Sequence, residues 1–217
     1  MIERHIHCVQ TEDPGLEEPA ATRARLRHLF PPGAARRLTQ LGFLMGSVLD
    51  PVKPAEEDGL VYASSYGESR ALHEYLASFP MASPTLFQTS IHPSAVQQVL
   101  VARQQPVREF FPFGGHAQIV AHAAQAALWS PSPRSILCGG EERTLPPGNS
   151  RTASSIGFAF ALALSAVAGG SVGSLRLLET ADAGGELTLP DFFTALRDRR
   201  ALDQTAAPGV RLVLAWR

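Results

Sequence analysis

The stretch richest in residues that could do chemistry runs Phe110-Phe111-Pro112-Phe113-Gly114-Gly115-His116. Two glycines before a helix have two readings. Their backbone N–H groups can hold an oxyanion or a carboxylate, or the glycines let a strand turn tightly and leave room for a partner's side chain. His116 and His122 stand six apart on the helix predicted to follow, which places them on different faces. His92 precedes Pro93. An imidazole at any of these positions serves general acid–base catalysis if a reacting group faces it. No Ser, Cys or Asp partner is near in sequence, so capping of the helix start is the plainer role for His116, and Ser94 reads as a first-turn residue. Phe111 and Phe113 line an apolar channel on one reading and fill a core on the other.

Two further sets of residues bear on chemistry. Cys8 and Cys138 lie far apart and form no metal-ligand spacing, and no cofactor motif accompanies them. They suit a reducing compartment. Arg23, Arg25, Arg27, His28, Arg36 and Arg37 form a basic cluster that either steers an acidic partner to this surface or makes a solvated face offset by Glu17 and Glu18.

Elements that position these residues follow from the patterning. Ile2 to Val9 alternates weakly and predicts a strand. Ala20 to Phe30 and Ala34 to Leu49 predict helices separated by Pro31-Pro32-Gly33. Leu60 to Ser64 is a buried strand, Glu68 to Phe79 a helix, and Ser83-Pro84-Thr85 opens an irregular stretch before a helix from Pro93-Ser94 to Arg103. Val107 to Phe111 is a strand, with a turn at Pro112 to Gly115 and a small-residue helix from His116 to Leu128. Ser135 to Cys138 ends at Gly139-Gly140, and Glu141 to Ser154 reads as an exposed loop. Strands at Ile156 to Ser165, Ser174 to Leu178 and Val210 to Trp216 surround a helix from Pro190 to Leu202. Alternating strands and helices predict a layered α-β-α domain, with a mixed, mostly parallel sheet covered by helices.

A chain of 217 residues, 45% hydrophobic and 18% charged, suits one folded domain over residues 1–217. A formal charge of −1 argues against nucleic-acid binding. The apolar run from Ile156 to Ala168 is too short to span a bilayer, so a cytoplasmic protein without membrane contact is expected.

Three stretches, in order, resemble the β-ketoacyl synthase-like amino-terminal domain family. This family comprises short, chain-length-factor-like relatives of the ketosynthases within the thiolase superfamily. The stretches are Tyr62-Ala63-Ser64-Ser65-Tyr66-Gly67-Glu68, then Ser83-Pro84-Thr85-Leu86-Phe87-Gln88-Thr89-Ser90-Ile91-His92-Pro93-Ser94-Ala95, then Ile136-Leu137-Cys138-Gly139-Gly140-Glu141-Glu142. The likeness is clearest over residues 30–180 and implies a thiolase-like half-fold.

In an active ketosynthase a cysteine on a strand–helix elbow takes the acyl chain, its thiol acidified by the helix amino terminus. Counting from Pro106, that slot falls on Gly114, within a degenerate elbow of Gly114, Gly115 and His116. The two histidines of the synthases' carboxy-terminal half have no counterpart here. The resemblance therefore implies an accessory, non-elongating subunit that acts with an active ketosynthase and an acyl carrier protein. The pathway it implies is a bacterial type II polyketide, aryl-polyene or fatty-acid-like one. In that picture Arg23, Arg25, Arg27, Arg36 and Arg37 meet the carrier, and Phe111 and Phe113 meet the acyl chain. The alternative is a divergent acyl-transfer or hydrolytic enzyme that uses His116 or His92. Half of a duplicated fold should also expose an apolar face, covered by Pro190 to Arg217 or buried in a homo- or heterodimer.

Overall fold

A computed structural model describes residues 2–144 and 153–217. Its strands are β1 (Ile2–Glu12), β2 (Gly59–Ser64), β3 (Glu109–Gly114), β4 (Arg134–Glu141), β5 (Phe158–Ser165), β6 (Gly173–Glu179), β7 (Leu202–Ala207) and β8 (Val210–Trp216). The α-helices are α1 (Pro19–Leu26), α2 (Pro32–Ala35), α3 (Gln40–Val52), α4 (Ser69–Ala77), α5 (Pro84–Ser90), α6 (Ser94–Arg103), α7 (Ile119–Trp129) and α8 (Leu189–Arg197). All eight strands form one sheet in the order β3-β2-β4-β5-β1-β6-β8-β7.

The sheet is mixed, as expected, but the expectation that it is mostly parallel is corrected. β2 runs parallel to β3 and to β4. The five remaining pairings are antiparallel. Apolar alternation records which face a residue takes and is silent about strand direction. Long helical crossovers return β3 and β4 parallel to β2, whereas the two-residue link between β7 and β8 can only make a hairpin.

Helices cover both faces of the sheet's central strands. On one face α3 and α6 pack over Leu60, Tyr62, Ile136, Cys138 and the alanines of β5. On the other, α7 and α8 pack over Val61, Leu137, Phe158, Phe160 and Leu162. Strands β2 and β4 are buried along nearly their whole length, so they read as continuous apolar runs.

Local signals start and stop these helices. Thr39 caps α3 by accepting from Gly42 N, and Lys53 ends it in the left-handed region at φ 51. Thr188 caps α8 by accepting from Asp191 N, with Pro190 in the first turn. Arg4, 9% exposed, has no acid partner among the described residues. Its guanidinium instead donates to the carbonyls of Leu128, Ser130 and Ser132 and to Ser135 Oγ, tying β1 to the end of α7. Cationic charge at a helix carboxy terminus is favourable there.

Several predicted boundaries shift. The helix expected over Ala34 to Leu49 divides into α2 and α3, because Thr39 supplies a new amino-terminal cap. The stretch opening at Ser83 is helical, with Ser83 accepting from Leu86 N. The helix expected to reach Leu202 stops at Arg197, and Leu202–Ala207 becomes β7, which takes its hydrogen bonds from β8. Within the loop expected at Glu141 to Ser154, Glu141 belongs to β4 and both Glu141 and Glu142 are buried. Residues 145–152 of that loop lie outside the described residues.

Of the two fates expected for the apolar face, cover by the carboxy-terminal elements is met on the α7 side. Phe193 stacks on Phe158 at 4.6 Å, and Phe192 meets Phe160 edge-on at 5.5 Å. Phe192→Ala is therefore expected to cost about 3–5 kcal/mol, as large buried side chains do. Urea denaturation read against the wild type checks the value, and a loss of only a few tenths would show that α8 is not integral to the core.

Candidate functional site

The elbow forms where the sheet edge meets α7. Strand β3 continues three residues further than expected, so Gly114 pairs with Ser64 as the strand's last residue. This corrects the turn placed at Pro112 to Gly115. The bend itself begins at Gly115, whose φ of +118 is open to glycine and closed to other residues. Gln118 completes it in the left-handed region, and α7 starts at Ile119, which leaves His116 ahead of the helix that carries His122.

Two donors at this bend, Gly115 N and Gln118 N, are occupied by the chain itself. Gly115 N donates to Ser64 O at 3.3 Å. Gln118 N donates to the Glu186 carboxylate, which places an acid of this chain at the positive end of α7. Of the two readings of the glycine pair, tight turning has the direct geometric support.

His92 lies beside the elbow. A Cβ added at Gly114 would sit 3.5 Å from His92 Cδ2 and 3.6 Å from its Nε2. His92 Nδ1 is 3.0 Å from Glu68 Oε2, and the Glu68 side chain is wholly buried. Glu68 also accepts from Ala95 N at 2.9 Å, so α6 holds the carboxylate that orients the imidazole. Tyr62 stacks on the ring at 5.1 Å. Nε2 is buried without a hydrogen-bond partner. The result is a base and its orienting acid facing a position that has no side chain.

Beneath them, β4 ends at Glu141 and Glu142 follows it, two adjacent buried carboxyls. Glu141 accepts from Ser65 N, Tyr66 N and Ser64 Oγ. Burial nevertheless pushes its carboxyl up to about 7. Glu142 accepts from Leu41 N at 3.4 Å, and burial raises it likewise to about 7 against the pull of Arg70.

The other residues singled out from sequence are placed as follows. His116 is exposed and edge-on to Tyr66 at 4.4 Å. Ser94 donates to Thr89 O at 2.7 Å as a buried helix-start residue. Phe111 faces outward on the edge strand, while Phe113 packs half-buried against the α7-side core. Neither lines any of the three principal cavities.

The five arginines do not form one patch. Arg25 pairs with Glu12 and Glu17, each at 2.9 Å. Arg23, Arg36 and Arg37 line one cleft, and Arg27 joins Arg23 and Arg36 in the next. Among the described residues no group of three or more His, Cys, Asp or Glu side chains is placed to hold a metal. No helix there is long and apolar enough to cross a membrane.

Glu68 and the β4 carboxyls were missed as site residues. Glu68 falls inside the first stretch of the resemblance and Glu141-Glu142 inside the third, but only the folded sheet brings them together. Cys138 is fully buried, and burial pushes its thiol well up, so it is no stand-in nucleophile.

Two outcomes are expected from this geometry. Gly114→Cys fits without backbone strain and places a thiol beside the Glu68-held imidazole. Its alkylation by iodoacetamide at pH 7 should run about tenfold faster than that of free cysteine, and the advantage should vanish when His92→Ala is added. Equal rates with and without His92 would show that the imidazole does not address this position.

The second concerns Glu142, whose folded carboxyl titrates above its unfolded value. Its contribution to stability is complete below about pH 4.5 and is lost as pH rises through about 7. Facing it are Leu41 N from α3, Arg70 and Glu74 from α4, and Glu68. The Tm of Glu142→Gln relative to wild type should accordingly rise between pH 4.5 and 7.5. A constant difference across that range would contradict the assignment.

No protein-family model and no curated protein matches this sequence. Solved structures do. The chain is similar to a chain in the complex of a ketosynthase (ApeO) with its chain length factor (ApeC) from Xenorhabdus doucetiae, with a TM-score of 0.71 and 19% identity over 99% of this chain and 100% of that one. It is also similar to a β-ketoacyl synthase from Burkholderia phymatum, with a TM-score of 0.51 and 15% identity over 79% of this chain. It spans about half, 53%, of that synthase. Together with the eight-stranded mixed sheet and its two helical layers, these likenesses show that the chain has a ketosynthase-type, thiolase-like fold.

Proposed function

We propose that this chain is a non-elongating, ketosynthase-like accessory subunit that acts beside an active ketosynthase and an acyl carrier protein, in the manner of a chain length factor. The pathway proposed is a bacterial type II polyketide, aryl-polyene or fatty-acid-like one. The observation that carries the reading is the elbow at Gly114, which keeps the strand, the bend and the helix and offers no nucleophile. A thioester-forming step needs a sulfur or oxygen nucleophile at that position, and glycine supplies none.

A second observation supports a partner. Leu76, Phe79, Met81, Phe87 and Ile91 on and around α4 and α5 are all exposed, Met81 at 85%. Beside them β3 has β2 on one side only, leaving its other edge free to accept a strand. Large exposed apolar surface rimmed by polar residues marks interaction sites in soluble proteins. The carrier protein is assigned to the side bearing Arg23, Arg27, Arg36 and Arg37. Arg25, spent on two carboxylates, contributes less than its charge suggests.

The divergent-enzyme reading has one observation in its favour, the Glu68–His92 pair. A single experiment separates the two. Co-expression with a full-length ketosynthase encoded beside it should yield a stable complex by light scattering. Met81→Asp with Phe87→Asp should weaken that complex about 10- to 100-fold while leaving the Tm of the lone chain unchanged. Failure of the wild-type chain to associate, together with acyl-thioester hydrolysis by the lone chain that His92→Ala abolishes, would replace this reading with the enzymatic one.

A further inference from the structure

A cleft of about 390 Å³ opens between the start of α3 and the α4–α5 pair, away from the elbow. Arg23, Arg36, Arg37 and Arg70 line it, with Glu142 among them. Arg70 is paired with Glu74 at 3.2 Å. Arg23 donates to Leu38 O at 3.3 Å and lies over the Phe43 ring at 5.8 Å, which fixes its guanidinium at the cleft wall. Arg36 and Arg37 are exposed and have no acid partner among the described residues.

Glu142 also borders the cleft, with its side chain buried. Three guanidiniums without acids supply more positive charge than a monocarboxylate balances, and their planar forks match phosphate oxygens. Leu38, Phe43 and Leu86 give the rest of the cleft an apolar wall.

We propose that this cleft binds the phosphate of a small phosphomonoester with a partly apolar body, held by Arg23, Arg36 and Arg37. The inference does not rest on the accessory-subunit reading, although Arg23, Arg36 and Arg37 are also arginines that reading gives to the carrier.

Calorimetric titration of the full chain tests it, with inorganic phosphate, phenyl phosphate and glycerol 3-phosphate as probes and acetate as the monoanion control. Saturable one-to-one binding of the phosphates and none of acetate is expected. Arg36→Ala should weaken it about tenfold. Arg200→Ala, an exposed arginine outside the cleft, should leave it unchanged. Tighter phenyl phosphate than glycerol 3-phosphate supports the apolar body, and the reverse order overturns that part. No saturable binding up to about 10 mM, or equal loss in Arg200→Ala, overturns the site. Arg36 is exposed, so a folding failure does not confound the result. Neither outcome touches the co-purification that tests the accessory-subunit reading.

Discussion

The structure depends on covering an apolar sheet on two sides at once. Strands β2, β4 and β5 are buried on both faces, so neither helical layer alone makes this fold stable. On the α3 side the cover comes from residues close in sequence to β2. On the α7 side it is completed from the far end of the chain by Phe192, Phe193 and Leu196 of α8. That long-range closure places β7 and β8 on the sheet and brings Glu186 to the start of α7.

The elbow inherits its character from this arrangement. In a nucleophile elbow the helix amino terminus is left free to stabilise a thiolate or an oxyanion. Here the same end faces Glu186, Gly115 N is spent on Ser64, and Gly114 before it is exposed. Yet the neighbouring imidazole is held as a base is held elsewhere, with Glu68 on Nδ1 and Tyr62 against its ring. The pair also has a structural role. Glu68 receives Ala95 N, so the same carboxylate joins the turn after β2 to the start of α6. A geometry suited to chemistry can thus be retained because it ties the fold together.

Charge is distributed with similar economy. Arg4 and Glu141 are buried where backbone groups bond them, and Arg25 is neutralised at the surface. Arg23, Arg36 and Arg37, without acid partners among the described residues, line one cleft, apart from the exposed apolar residues of α4 and α5. Two surfaces of different chemistry, one cationic and one apolar, therefore flank the same helical pair.

The sequence by itself determined the fold class and most strand positions. Apolar runs such as Leu60 to Ser64 and Phe158 to Ser165 carry their own burial signal. Tertiary structure alone decided strand direction, the reassignment of Leu202–Ala207 from helix to strand, and the meeting of Glu68, His92 and Gly114. Those outcomes depend on contacts between separate elements, made by ladder hydrogen bonds such as those of β7 with β8 and by the bonds of Glu68 to His92 and to Ala95 of α6. Local propensity and periodicity do not encode them, because they are properties of which surfaces meet rather than of which residues stand in line.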